Sequence, residues 1–180
     1  MRTANNKRTV KIAGFGGQGV VLTSIILGRA AILDGKHSTQ TASYGSESRG
    51  GECKSEVVIS TDEIDYPLVD KVETLVVMSQ PALSKYVEDL IPGGTLLLDP
   101  DMIQTKGDRR DIKVMEVPAT RTADSLGRRI VANIVMLGAL QKQTKIVSEN
   151  ALREAIRENV PPKTVDLNIR AFEEGMKLLN

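Results

Sequence analysis

The segment KIAGFGGQGVVLTSIILGRAAILDG, from Lys11 to Gly35, constrains the fold more than any other: an apolar run enters glycines and leaves them as a helix. Val10 to Ala13 predicts a strand; apolar residues at helical spacing from about Gln18 to Leu33 predict a helix that Gly35 closes. Between them Gly14, Gly16 and Gly19 give G-x-G-x-x-G. A strand that ends in glycines ahead of a helix brings unsatisfied backbone N–H groups to an anion, and the helix dipole adds attraction. The same glycines also suit a tight turn and close helix–strand packing with no ligand.

Further along, VETLVVMS (Val72 to Ser79) and GTLLLDP (Gly94 to Pro100) are nearly continuous apolar runs, as strands covered on both faces are. PALSKYVEDLI between them has helical spacing with Pro81 near its start, which predicts a parallel crossover. KHSTQTA, SEVVIST and IKVMEVP supply shorter strands, and SYGSESRGGE from Ser43 to Glu52 reads as a long polar loop. From Asp124 the pattern is helical: DSLGRRIVANIVMLGALQKQ, then SENALREAIRENV capped by Ser148, then VDLNIRAFEEGMKLL with Ile169, Phe172, Met176 and Leu179 on one face. These elements predict an α/β, Rossmann-like, three-layer α/β/α sandwich with a largely parallel sheet and a C-terminal helical segment. A polar tail over residues 1–9 leads into a single domain over 10–180, a length that suits one core.

Composition narrows the function. The 24 basic side chains nearly cancel the 23 acidic ones, and only 3% of residues are aromatic, with no Trp, so neither a basic patch nor a stacking platform for nucleic acid is expected. A single cysteine, Cys53, excludes an intrachain disulfide and the multi-cysteine set of an iron–sulfur cluster or structural zinc. The N-terminal segment lacks the apolar stretch of a secretory signal, and no run reaches the roughly 18 to 20 apolar residues of a membrane span. A cytoplasmic protein without a membrane partner is expected.

A nicotinamide-binding loop requires an Asp or Glu about 20 residues on, at the end of the second strand, to hold the ribose hydroxyls. Asp34 has the count but precedes that strand, whose end reads TQTAS without a carboxylate. Arg49 beside Gly50 and Gly51 in the second loop sets a guanidinium next to flexible backbone, a combination suited to phosphate or to a plain solvated loop. A helix N-terminus contributes about 0.3 to 2 kcal/mol to anion binding, whereas micromolar affinity needs about 8, so one loop does not suffice. His37 reads as a strand or surface histidine, Cys53 as an inert small residue, and Asp99, Ser79 and Gln80 as strand-end rim residues, with Asp99 suited also to capping a turn with Pro100. No self-contained catalytic set is visible.

Together, GFGGQGVVLTSIILGRAA and TASYGSESRGGECKSEVVIS at this separation resemble the gamma subunit of the 2-oxoacid:ferredoxin oxidoreductases, and TQTASYGSESRGGECKSEVVIS looks most like the 2-oxoglutarate-oxidising branch. The resemblance spans Lys11 to Leu140. It implies a complex that oxidises a 2-oxoacid with coenzyme A, releasing carbon dioxide and an acyl-CoA and reducing ferredoxin. It places thiamine diphosphate and iron–sulfur clusters on alpha, beta and delta-type (ferredoxin-like) partner subunits and none on this chain. It also implies coenzyme A contacts at Gly14, Gly16, Gly17, Gln18 and Gly19, and at Tyr44, Gly45, Ser46, Arg49, Gly50 and Gly51. Two other readings stay open: a free-standing NAD(P) or flavin oxidoreductase, and a nucleotide-binding module without chemistry.

Overall fold

A computed structural model describes residues 6–44, 51–66 and 68–179. The chain runs β1 (Lys7–Phe15), α1 (Val20–Leu33), β2 (His37–Tyr44), β3 (Glu52–Ser60), β4 (Val72–Val77), α2 (Gln80–Tyr86), β5 (Leu90–Leu98), β6 (Lys113–Glu116), α3 (Ala119–Ser125), α4 (Ala132–Thr144), α5 (Glu149–Asn159) and α6 (Val165–Lys177). Six strands form one sheet in the order β2-β3-β1-β4-β5-β6. The pairs β1/β4, β4/β5 and β5/β6 are parallel, and β3 runs against both β1 and β2. The sheet is therefore largely parallel by direction, as expected from the buried apolar runs of β4 and β5.

Alternation along each strand divides the core into two faces. Val10, Ile12, Val57, Ile59, Val76 and Leu97 pack with α1 and α3–α6, while Ala13, Leu75, Val77, Leu96 and Leu98 pack on the side of α2. Three layers result: the sheet, α2 on one face, and α1 with the C-terminal helices on the other. The face of α6 that goes inward is Asn168, Ala171, Phe172 and Gly175, with Ile169 and Met176 only half-buried at its margin.

Two features differ from the sequence reading. The second loop is bracketed tightly, because β2 continues to Tyr44 and β3 begins at Glu52, so the two strands are hairpin partners with Tyr44 opposite Cys53. The helix expected from Asp124 onward is broken. Gly127 at φ 90 takes a left-handed conformation, Arg128 N donates back to Ala123 O at 3.1 Å, and a short turn over Arg129–Val131 leads into α4. That break is a helix C-terminal motif of the kind glycine permits. It sets Arg128, Arg129 and Ile130 beside the glycine loop rather than along a helix.

Candidate functional site

β1 ends at Phe15, beside the C-terminal ends of β4 and β5, where ligands of open α/β sheets bind. Gln18 N donates to Phe15 O at 3.1 Å to close the turn, Gly17 sits at φ 95, and Gly19 at φ 75 is the N-cap of α1. Gly19 has no side chain to cap the helix, so the first N–H groups of α1 are open to an outside acceptor.

The residues of this loop divide the work. A Cβ on Gly14 would meet Gln18 Oε1 at 2.4 Å, and one on Gly19 would meet Asn133 Nδ2 at 2.3 Å; a Cβ on Gly17 would meet nothing. Gly14 and Gly19 are thus required by packing. Gln18 spends its amide internally: Phe15 N donates to Oε1 at 2.6 Å, and Nε2 donates to Met78 O at 2.9 Å, tying the loop to the end of β4. Gly16 and Gly17 are the exposed members.

Among the described residues, the second loop meets the first where Gly16 N donates to Gly51 O at 2.8 Å. Tyr44, at the end of β2, is 68% exposed. Gly45, Ser46, Arg49 and Gly50 lie outside the described residues.

Two adjoining clefts flank Gly17 and share Ile130, which is 66% exposed. The first, of about 280 Å³, is lined by Gln18, Met78, Asp99, Met102, Thr120 and Arg129. The second, of about 250 Å³, lies between the glycine loop, the 128–131 turn and the start of α6. Asp99 is buried at the floor of the first, and its oxygens are occupied: Thr120 N and Oγ1 donate to Oδ2 at 2.8 and 2.6 Å, and Asp101 N donates to Oδ1 at 3.0 Å. It organises the rim. Gln80 does the same for the 101–106 segment, accepting from Gln104 N and Thr105 N, and Ser79 caps α2.

Arg129, which lines the first cleft, lies 2.7 Å from Asp124, and Arg121, outside both linings, pairs with Asp101. These guanidiniums hold the two carboxyls below their usual range. Arg128, extended at φ −147, has no ion-pair or hydrogen-bond partner for its side chain among the described residues. The sequence reading missed this 128–133 segment because its apolar periodicity runs on through the break; Gly127 was the available signal.

Elsewhere the plain readings hold. Asp34 is at the far end of α1, roughly 20 Å from the loop at 1.5 Å per residue over a 14-residue helix, where its carboxylate accepts from Ser148 N and Oγ. His37 begins an edge strand next to it and is exposed. Cys53 is buried, and burial pushes its thiol up, away from the reactive thiolate. The arrangement can bind an elongated anionic ligand across Gly17, with apolar cleft walls on either side. It presents no activated nucleophile among the described residues. No helix among them is long and apolar enough to cross a membrane.

The family described as pyruvate ferredoxin/flavodoxin oxidoreductase matches residues 9–178. The 2-oxoglutarate synthase subunit KorC of Methanothermobacter marburgensis is 51% identical over 96% of this chain and 97% of that protein. Among solved structures, the gamma subunit of a keto/oxoacid ferredoxin oxidoreductase from Geobacter sulfurreducens superposes with TM-score 0.84 at 38% identity, over 94% of this chain and 96% of that one. A 2-oxoglutarate:ferredoxin oxidoreductase from Magnetococcus marinus, with 2-oxoglutarate, coenzyme A and succinyl-CoA bound, shares the fold at TM-score 0.89 and 22% identity, over 97% of this chain and 31% of that one.

Proposed function

The chain belongs to the pyruvate ferredoxin/flavodoxin oxidoreductase family, and we propose that it is the gamma subunit of a multi-chain 2-oxoglutarate:ferredoxin oxidoreductase. The complex converts 2-oxoglutarate and coenzyme A to succinyl-CoA and carbon dioxide and passes the electrons to ferredoxin. The observation that carries this reading is the half identity, along nearly the whole length of both chains, to a 2-oxoglutarate synthase subunit.

Within the complex this subunit supports coenzyme A binding and assembly. The fit rests on the pair of clefts joined over Gly17, the uncapped start of α1 and the arginines at the mouth. The exposed backbone of Gly16 and Gly17 faces the phosphates, Gly14, Gln18 and Gly19 shape the loop, and Tyr44, Gly45, Ser46, Arg49, Gly50 and Gly51 complete the site from the second loop. Thiamine diphosphate and iron–sulfur clusters belong to alpha, beta and delta-type partners, in keeping with the single cysteine here. The complex works in the cytoplasm.

Anaerobic purification through a tag on this chain tests the assignment. Companion subunits and reduction of an electron acceptor that requires both 2-oxoglutarate and coenzyme A are expected. A lone colourless chain, or one that turns over NADH by itself, would overturn it. Arg49→Ala is expected to raise the KM of the complex for coenzyme A, and an unchanged KM removes Arg49 from the site.

A further inference from the structure

The two edges of the sheet are built differently. β6, at one end, is 4 residues long and carries Lys113 and Glu116. A short, charged edge resists pairing with another chain. β2, at the other end, is 8 residues long and reads HSTQTASY, without Lys, Arg, Asp, Glu, Pro or Gly, and its register with β3 runs unbroken from His37 to Tyr44. Among the described residues, β3 is the only backbone partner of β2. A long edge with none of the usual guards is a template for a further strand.

The helix beside that edge is unfinished on the same side. α1 has one charged residue among its 14, Arg29, whose guanidinium is already taken by Glu158 at 2.5 and 3.1 Å. Ile25 and Ile32, two turns apart on one face, are 40% and 52% exposed, and Val21 is half-buried beside them. A helix that is apolar all round belongs in an interior. The exposed stripe adjoins β2: Gln40 Nε2 donates to Ser24 Oγ at 2.7 Å, and a Cβ on Gly28 would meet Ser38 Oγ at 3.1 Å.

We propose that this side of the domain is the contact between two copies of the chain, about a two-fold axis that runs β2 antiparallel to its counterpart and sets the two α1 helices alongside. What has to be covered selects the occupant. A lone extended peptide would satisfy the backbone of β2 and leave Ile25 and Ile32 in water. A second copy brings a strand and an apolar helix at the same offset on the same face of the sheet, because an isologous contact repeats its own pattern. Charge permits it, since Arg29 arrives already paired and His37, at one end of β2, faces the other end of its antiparallel counterpart rather than its own image. Size permits it as well. An edge of 8 residues beside a helix of 14 gives a side about 27 Å by 20 Å, of the order of the roughly 800 Å² per partner that a standard interface buries once surface relief is counted.

Sedimentation of the purified full chain tests the contact without drawing on the coenzyme A reading. A dimer of the 19.5 kDa chain is expected, and Ile25→Lys combined with Ile32→Lys is expected to give a monomer with an unchanged circular dichroism spectrum. A wild-type monomer, or a dimer that the double substitution leaves intact, would overturn the proposal. Photocrosslinking covers the case in which the double variant does not fold. Cys53 is buried, so Ile32→Cys can be labelled selectively with benzophenone-maleimide. Irradiation is expected to join two copies through peptides from residues 21–44. A crosslink to another subunit in the intact complex, with none between copies, would assign the face to that subunit and sink the two-fold contact.

Discussion

Lys11 occupies a β1 position that the strand alternation turns toward α2, and it is only 2% exposed. Its ammonium lies 2.9 Å from Glu56 Oε1, contacts Asp89, and stands 5.2 Å from the centre of the Tyr86 ring. Burial disfavours the Glu56 carboxylate, but hydrogen bonds and charge from Lys11 and Lys54 outweigh it and hold the group below its ordinary value of 4.5. Tyr86 moves the other way: burial first, then Glu52 and the neighbouring carboxylates, raise its hydroxyl well above the usual range. Truncation of one partner of a buried pair leaves an uncompensated charge. Lys11→Ala is therefore expected to lose about 3–5 kcal/mol of stability in urea unfolding, whereas Lys54→Ala, at a more exposed position, is expected to lose less. Because the folded pKa of Glu56 is depressed, its contribution is complete above the ordinary carboxylate value and is lost as pH falls through the lowered one. Glu56→Gln should accordingly flatten the acid side of the stability profile, measured as urea midpoints from about pH 6 to 3. Cys53 offers a separate check: iodoacetamide should modify it only at the rate of opening, in step with unfolding followed by circular dichroism, and fast labelling of the native chain would contradict its burial.

Among the elements, α4 and α6 cross so closely that glycine is required on both sides. A Cβ on Gly138 would lie 2.1 Å from Phe172 O, and one on Gly175 would lie 2.0 Å from Val135 O. Backbone atoms cannot yield as a side-chain tip can, so Gly175→Ala must push the helices apart. Overpacking of this kind costs about 1–3 kcal/mol, a lower Tm being the readout. A larger KM for coenzyme A should accompany it, since Asn133 on α4 and Asn168 on α6 both face the second cleft. Legibility in the sequence also varied by element. β1, the glycine turn and α1 could be read because period, glycines and helix closure are all local. The antiparallel β1–β3 pairing could not, because its register joins residues as far apart in sequence as Lys7 and Ser60. The α3–α4 break was hidden under an unbroken apolar pattern that only Gly127 interrupts, and with it went Arg128, Ile130 and Asn133. The Lys11–Glu56 pair was hidden too, since a charge in a strand announces no partner until the strands are placed side by side.

For the whole molecule, strand order decides between the ligands that a glycine loop could serve. In a dinucleotide fold the strand beside β1 runs parallel to it and ends in the acid that holds the ribose. Here β3 runs antiparallel beside β1, so its start, not its end, adjoins the glycine loop, with Glu52 opposite Phe15. Glu52, the carboxylate at that start, is held 2.8 Å from Lys85 on the α2 side. β2 ends one strand further out at exposed Tyr44. The proposed binding surface is instead assembled from the glycine loop, the 128–131 turn and the starts of α4 and α6, regions that meet only after the C-terminal helices pack on the sheet. Among the described residues of that arrangement none offers a free carboxylate to a pair of ribose hydroxyls, while Arg128 and the uncapped α1 offer positive charge to phosphates. The intact complex is therefore expected to bind coenzyme A in calorimetry and to leave NADH fluorescence unchanged at concentrations up to about 1 mM, which limits any affinity to weaker than about −4 kcal/mol. Tight NADH binding that maps to Gly16 and Gly17 would show that a carboxylate outside this register completes the site, and would return the chain to the nicotinamide-dependent oxidoreductases.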